Sequence, residues 1–298
     1  MGSQAALATA ADAPASPHPP APAHIARRIK ALPQISLAAV KLSEELGAPR
    51  SDANDLERIL KGDPALATNV LRLANSAAFR GIKGSATLRD AVVRLGRRGL
   101  QGLAAGAALR SALPKSLDGY GQSASEFLRH SVGVAILAER ISRMVQFVDR
   151  DVVFTAALLH DVGKLVVSTY LVDSGVVLEQ DDMSERSAQS ERSAIGIDHC
   201  EVGLEVSMAW RLPSAAMIVN RWHHDPLSAP DPVSRKLACV VHLADQIDRL
   251  LFKDAVTIDE CLVAPAVFER LGLKPAVMGE LAASVMEEIE ALCDALAA

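Results

Sequence analysis

The stretch Ala156-Ala-Leu-Leu-His-Asp-Val-Gly-Lys164 ends an apolar run with an adjacent histidine and aspartate. A neutral imidazole and a carboxylate side by side in a water-poor setting can hold a divalent metal, whereas burying either group without a partner is costly. His160 and Asp161 therefore prompt a search for further ligands. Residues of the same types recur along the chain: His130, His199, His223, His224 and Asp245.

The composition favours a helical globular protein. The chain has 298 residues, of which half are hydrophobic, 22% are charged and only 3% are aromatic. A core built mainly from Ala, Leu and Val, with few segments of alternating polarity, predicts an all-α fold. The formal charge of −5 argues against a general nucleic-acid binder or a membrane-surface binder.

The cysteines and the N-terminus indicate a cytoplasmic protein. Four cysteines are far apart and form no Cys-x-x-Cys pair, so we expect reduced thiols packed as small hydrophobic groups. No apolar stretch is long enough for a transmembrane helix, and the N-terminus lacks the pattern of a signal peptide. We therefore expect no contact with a membrane.

Composition and periodicity divide the chain. Residues 1–22 are rich in Ala, Pro and Ser and predict a disordered tail. Helical periodicity starts near residue 23, and turn residues over 113–122 mark an internal boundary. The predicted parts are an N-terminal helical half (23–115), a second half (123–250) and a helical extension (251–298), the two halves forming one domain over 23–250.

Capping residues predict where several helices begin. Asp63-Pro64 should open one helix, Thr87 another that ends near Gly96, and Asp198 a third. Long helices are predicted over 126–145 and, with His160 and Asp161 inside it, over 151–170. Residues 173–194 read as a polar loop or weak surface helix. The remaining predicted helices cover 100–109, 213–224 and 231–250, then 263–271 behind a capping box at 257–260, and 275–296.

Ligand-type residues on several helices could form one metal cage. Side chains must project inward from more than one helix, because a single turn offers only two or three on one face. Imidazole and carboxylate ligands suit one or two ions of Fe, Mn, Ni or Zn, while a thiolate-only site is excluded. Asp161 could bridge two metals about 3.5–4 Å apart. Lys164, one turn after His160, could meet a phosphate oxygen.

Ordinary structural roles explain other residues equally well. A single histidine is usually a surface or hydrogen-bonded core residue, and we assign His18 and His24 to that class. His242, three residues before Asp245, is a weaker extra ligand candidate. Spacing alone leaves a metal site and a set of core histidines as equal alternatives. The other conspicuous residues have structural interpretations: Trp210 and Trp222 as core anchors, Arg94, Arg97 and Arg98 as a solvated helix end, and Asp63 and Asn75 as capping and turn groups.

Motifs in both halves carry a resemblance to a known family. Gly62-Asp-Pro-Ala-Leu-Ala67, Leu71-Arg-Leu-Ala-Asn-Ser76 and Ala91-Val-Val-Arg-Leu-Gly96 resemble the N-terminal half of the bacterial HDOD domain (HD-related output domain). The resemblance runs from about residue 25 to 250. Its second half comprises Arg129-His130-Ser131, Leu158-Leu-His-Asp-Val-Gly-Lys164, Glu191 followed by Asp198-His-Cys-Glu-Val-Gly203, Trp210-Arg-Leu-Pro213 and His223-His224-Asp-Pro226.

The resemblance implies an HD-superfamily-like helical domain preceded by an N-terminal helical half. It relates the chain to HD phosphohydrolases and to HD-GYP cyclic-dinucleotide phosphodiesterases. By motif, the implied metal ligands are His130, the His160-Asp161 pair, His199, His223, His224 and Asp245. After His224 the chain reads Asp-Pro-Leu-Ser-Ala-Pro, without the Gly-Tyr-Pro element, which argues against hydrolysis of cyclic di-GMP.

Three functional hypotheses follow. The favoured one is a bacterial signalling output or scaffold module that acts through protein–protein contacts with signalling proteins. The second is a metal-dependent phosphohydrolase for a nucleotide or cyclic dinucleotide, with Asp161 and Lys164 as catalytic residues. The third is a ligand-sensing regulatory domain.

Overall fold

The computed structural model describes residues 19–32, 41–42, 45–46, 52–79, 85, 87–146, 150–178, 187–252 and 263–297. Over these residues the chain is helical apart from one short hairpin, which confirms the predicted all-α fold. Within the same residues, no helix combines the length and apolar character needed to cross a bilayer. Residues 1–18 of the predicted tail and the predicted capping box at 257–260 lie outside the described part.

Within the described residues, the N-terminal half contains four helices whose bounds are known. They are α1 (Pro22–Ala31), α2 (Ala53–Lys61), α3 (Pro64–Asn75) and α4 (Leu88–Ala112). The Asp63 side chain accepts a hydrogen bond from the Leu66 N–H (3.0 Å), as predicted for the cap of α3. Gly96, with φ of 60° and ψ of −173°, interrupts α4 where the sequence predicts a helix end.

A hairpin that the sequence did not reveal joins the two halves. Strands β1 (Ser116–Leu117) and β2 (Gln122–Ser123) pair antiparallel, with Ser116 opposite Ser123. The intervening turn buries the Tyr120 ring completely. Each strand has only two residues, too short for a readable alternation of polarity.

The second half and the extension complete the fold. Their helices are α5 (Ala124–Met144), α6 (Arg150–Leu158), α7 (Lys164–Asp173), α8 (Ser187–Ile195), α9 (His199–Ala209), α10 (Ser214–Trp222), α11 (Pro232–Phe252), α12 (Pro265–Leu271) and α13 (Val277–Leu296). Helix α5 packs against α6 and α11, while α13 packs against α3, α4 and α5. One hydrophobic core therefore runs through both halves.

The single helix predicted over 151–170 is wrong. Helix α6 ends at Leu158 and α7 begins at Lys164, so His160 and Asp161 lie on the turn between them. Close packing against α9 accompanies this break: a Cβ at Gly163 would lie 2.0 Å from the His199 carbonyl oxygen. The turn lets two adjacent side chains both face the interior, which a regular helix would not allow.

The prediction that Arg98 belongs to a solvated helix end is also wrong. Its guanidinium pairs with Glu139 of α5 (2.5 Å) and Glu288 of α13 (2.8 Å). Glu288 also pairs with Arg140 (2.8 Å). The sequence shows only a basic residue in a helix. It does not reveal the network, because both partners of Arg98 lie far from it along the chain.

Candidate metal centre

The seven predicted ligands form two adjoining groups on either side of Asp161. Five structural elements supply them: α5, the turn after α6, the first residue of α9, the end of α10 and the middle of α11. In that order the residues are His130, His160 with Asp161, His199, His223 with His224, and Asp245.

The first subsite comprises His130, His160, Asp245 and one oxygen of Asp161. His130 Nε2 lies 3.2 Å from Asp245 Oδ1, and His160 Nε2 lies 3.7 Å from the same oxygen. Asp161 Oδ2 lies 3.8 Å from His130 Nε2 and 3.4 Å from His160 Nε2. Ligand atoms of His130, His160 and Asp245 all lie within 4.8 Å of one another.

The second subsite comprises His199, His223, His224 and the other oxygen of Asp161. The His199 Nε2 atom lies 3.3 Å from that of His223 and 3.1 Å from that of His224. Asp161 Oδ1 lies 3.3 Å from His199 Nε2 and 3.5 Å from His223 Nε2. Asp161 thus faces one subsite with each oxygen, the arrangement of a bridging carboxylate.

In four of the histidines, the Nδ1 atom lies within hydrogen-bonding distance of an oxygen acceptor. His160 Nδ1 donates to the Ala157 carbonyl (2.8 Å), and His223 Nδ1 donates to the Val219 carbonyl (3.0 Å). Because a carbonyl can only accept, both Nδ1 atoms carry a proton, and in the neutral ring Nε2 keeps its lone pair. His130 Nδ1 and His199 Nδ1 face carboxylates instead. All four Nε2 atoms are thereby aimed at the centre.

Two outer carboxylates were not among the predicted site residues. Asp248 Oδ2 lies 2.8 Å from His130 Nδ1, and Glu191 Oε1 lies 2.8 Å from His199 Nδ1. The Tyr120 hydroxyl donates to Glu191 (2.8 Å). Asp248 stands three residues after Asp245 on α11, a helical spacing that could have revealed it. Glu191 lies in a segment read as polar loop or surface helix, yet it is completely buried.

Two basic side chains hold the central carboxylates. Lys164 Nζ lies 2.5 Å from Asp161 Oδ2, and Arg249 Nε lies 3.0 Å from both oxygens of Asp245. The Lys164 side chain is fully buried in this pair. In this conformation Lys164 is therefore not available for the predicted contact with a phosphate oxygen.

The surroundings shift the pKa values of the histidines in opposite directions. Burial opposes protonation of His130, but hydrogen bonds to Asp245 and Asp248 outweigh it and raise its pKa to about 9. Burial likewise opposes protonation of His199, yet the charge of Glu191 raises its pKa well above the usual value. Burial lowers the pKa of His223 to about 4. Burial, with His223 and His199 nearby, also holds the pKa of His224 well below its usual value.

Burial opposes ionisation of the central carboxyl groups, but the influence of neighbouring side chains prevails. His160 and Lys164 hold the pKa of Asp161 well below its usual range. Arg249 and His130 do the same for the pKa of Asp245. Both side chains are therefore ionised and available as ligands at neutral pH.

The donor atoms fit a divalent metal. Two nitrogens that bind one ion at about 2.0–2.1 Å in a tetrahedral arrangement lie about 3.3 Å apart. The separations of 3.3 Å and 3.1 Å in the second subsite are close to that value. Two buried atoms that face the centre, His160 Nε2 and Asp161 Oδ1, also lack a hydrogen-bond partner. Buried polar atoms normally have one, so their arrangement favours a cation between them.

The other predicted candidates do not join the centre. His24 is exposed, as expected, and His18 lies outside the described residues. His242 faces the His223 carbonyl oxygen through Nδ1 (2.8 Å), so it supports the backbone of a proposed ligand. Trp210 packs at the edge of the core, and the Arg221 guanidinium lies over the ring of half-buried Trp222.

Comparison with known proteins identifies relatives of this fold. The family model of the HDOD domain matches residues 32–226. An uncharacterized protein of Treponema pallidum (strain Nichols) is 26% identical over 231 residues, which cover 77% of this chain and 44% of that protein. The chain thus spans less than half the length of this curated relative.

Solved structures agree with the helical architecture. An HDOD domain protein with unknown function from Geobacter sulfurreducens is 25% identical, with a TM-score of 0.68, over 92% of this chain and 97% of that chain. A Shewanella amazonensis SB2B protein whose name suggests a phosphohydrolase is 24% identical, with a TM-score of 0.68, over 92% and 98%. A Marinobacter aquaeolei VT8 protein whose name suggests signal transduction is 20% identical, with a TM-score of 0.69, over 93% and 65%.

Proposed function

The chain belongs to the HDOD domain family, and from that premise we propose that it is a bacterial signalling module. In this proposal an HD-like centre binds divalent metal, and the output is a contact with another signalling protein. Family membership supports the signalling role. The convergence of imidazole nitrogens and carboxylate oxygens supports the metal centre.

The burial of the centre is the observation that supports a non-catalytic role. His160, His199, His223 and Asp245 are 0% exposed, and Asp161 is 1% exposed. A phosphate ester would have to reach these groups to be hydrolysed. A closed set of ligands from five elements instead suits an ion that fixes how those elements pack together, since binding to the folded state stabilises it.

Metal occupancy would then control the surface presented to a partner. His130 and Asp245 belong to α5 and α11, which pack against each other. His199 and His223 lie at α9 and α10, which also pack together. An ion held between these two pairs would couple their positions, and a partner that contacts both pairs would sense it.

A metal-dependent phosphohydrolase is the second candidate, favoured by the bridging position of Asp161 and by Lys164 beside it. When bound, a pair of divalent ions supplies Lewis acidity and an activated water. Lys164 would have to leave Asp161, 2.5 Å away, to hold a phosphate oxygen. This candidate therefore requires the centre to open.

An assay of the metal-loaded protein distinguishes the two candidates. The chain would be loaded separately with Mn, Fe, Ni and Zn, its metal content measured, and its turnover of bis-p-nitrophenyl phosphate and of a cyclic dinucleotide compared with that of His160→Ala. We expect bound metal and no turnover above the variant. Turnover that His160→Ala abolishes would establish the phosphohydrolase instead, and failure to bind any of the metals would refute the metal centre.

A further inference from the structure

Cys200 lies beside the second subsite and is not one of its four proposed ligand residues. Its Sγ atom lies 3.7 Å from His199 Nε2. One ligand atom each from His199, Cys200, His223 and His224 lies within 4.8 Å of all the others. Cys200 is only 3% exposed.

The geometry points to Cys200 as a thiolate ligand of the second subsite, where we propose that it selects a borderline ion such as Zn²⁺. This inference rests on the proposed metal centre and adds a ligand and a metal preference to it. As the metal–sulfur bond forms, the thiol proton is lost to solvent.

The distances agree with shared coordination. An ion that binds sulfur at about 2.3 Å and nitrogen at about 2.0–2.1 Å with tetrahedral angles places the two donors about 3.6 Å apart. The observed sulfur–nitrogen separation is 3.7 Å. A second observation comes from Asp161 Oδ1, which is buried, has no hydrogen-bond partner and lies 3.3 Å from His199 Nε2.

The other described cysteines serve as a contrast. Cys239 is part of the hydrophobic core, and Cys293 packs against that core. Cys200 instead lies at the second residue of α9, next to His199, with its Sγ atom 3.7 Å from His199 Nε2. Cys239→Ser is therefore a matched control for Cys200→Ser, since each replaces a buried thiol by a hydroxyl.

The two subsites should consequently differ in metal preference. The first offers two imidazoles and carboxylate oxygens, which suit Fe²⁺ or Mn²⁺. The second offers three imidazoles, one oxygen of Asp161 and a thiolate, a softer set that disfavours Mn²⁺. We therefore expect a chain exposed to both ions to hold Zn²⁺ in the second subsite.

Cobalt substitution tests the assignment with a spectroscopic readout. Co²⁺ bound by a thiolate gives a strong near-ultraviolet charge-transfer band. We expect this band in the wild type and in Cys239→Ser. A Cys200→Ser protein that still binds Co²⁺ should lack it. Outer partners of a metal site typically contribute about 10- to 100-fold in affinity, so losing a direct ligand should weaken Zn²⁺ binding at least that much and leave Mn²⁺ binding unchanged.

Each outcome either supports or overturns Cys200 as a metal ligand. Co²⁺ bound by the wild type without the band would overturn the role of Cys200 and leave the metal centre standing. No bound Co²⁺ would refute both. If Cys200→Ser does not fold, the ¹¹³Cd resonance of the cadmium-loaded wild type replaces the variant: a position typical of a sulfur ligand supports the assignment, and one typical of nitrogen and oxygen ligands alone overturns it.

Discussion

The Nε2 atoms of His199 and His223 lie 3.3 Å apart, while the Nδ1 atoms of both rings are already bound to acceptors. Two such nitrogens can approach this closely only with a proton or a metal ion between them. Without metal, His199 carries that proton, because its pKa is raised well above the usual value. We therefore expect metal binding near neutral pH to release protons, which calorimetry in buffers of different ionisation enthalpy would measure. A binding heat that does not depend on the buffer would contradict this prediction.

The affinity of the first subsite should rise with pH. Because the pKa of His130 is about 9, its Nε2 is protonated at neutral pH and a metal must displace that proton. Affinity should increase about tenfold per pH unit below pH 9 and level off above it. Mn²⁺ titrations of the wild type, with Asp161→Asn as the non-binding control, would check the slope. A flat profile would exclude His130 as a ligand.

The metal-free protein should be most stable near pH 6.5. The pKa of His130 is raised from 6.5 to about 9, so its stabilisation is complete below pH 6.5 and is lost as the pH rises through 9. This loss is on the order of 3 kcal/mol. The pKa of His223 is lowered from 6.5 to about 4, so stability also falls as the pH drops from 6.5 toward 4.

Two variants separate these limbs of the stability profile. In urea unfolding of chelator-treated protein, His130→Gln should make the alkaline limb shallower and His223→Gln should make the acid limb shallower. If each variant instead shifted the whole curve equally, protonation of these rings would not be the cause.

Asp248 and Glu191 should each control one subsite. Asp248→Asn weakens the hydrogen bond that orients His130, and Glu191→Gln does the same for His199. Loss of such an outer partner should reduce metal affinity about 10- to 100-fold. We expect Asp248→Asn to weaken Mn²⁺ binding at the first subsite and Glu191→Gln to weaken Zn²⁺ binding at the second. Each variant is the control for the other, so equal effects on both ions would refute separate subsites.

Local signals explain what could be predicted from the sequence. Asp63 and Asp198 cap α3 and α9 because a cap depends on residues only three positions apart. The ligand types and their order along the chain were also readable. Their convergence was not, because it depends on how five elements pack. Asp248 and Arg249 stand three and four residues after Asp245 and could have been found from helical spacing alone.

Long-range contacts explain what was missed. Glu191 reads as a surface residue because its neighbours are polar, but it is buried and accepts a hydrogen bond from Tyr120, which lies 71 residues earlier in the chain. Likewise, the pairing of Arg98 with Glu288 joins residues 190 positions apart. The break after Leu158 accompanies contact with α9, whereas the residues around it favour a continuous helix.

Gly163 should tolerate no side chain, because α9 lies directly against it. A Cβ at this position would lie 2.0 Å from the His199 carbonyl oxygen and 2.6 Å from the Gly203 nitrogen. Both are backbone atoms, so relief requires α9 to move, and His199 with it. We expect Gly163→Ala to destabilise the fold by more than 1 kcal/mol, the lower end of the usual cost of overpacking at about 1–3 kcal/mol.

The matched control is Gly279→Ala in α13, where a Cβ would meet no atom within 4 Å. Alanine there should stabilise the helix by about 0.5–1 kcal/mol, because glycine loses more backbone freedom on folding. In Gly163→Ala, displacement of His199 should also weaken Zn²⁺ binding, measured by competition with a chelating dye under conditions where the variant is folded. Unchanged Zn²⁺ affinity in a destabilised Gly163→Ala would mean that α9 relaxes without moving His199. That result would separate the packing role of the turn from its role in positioning the proposed ligand.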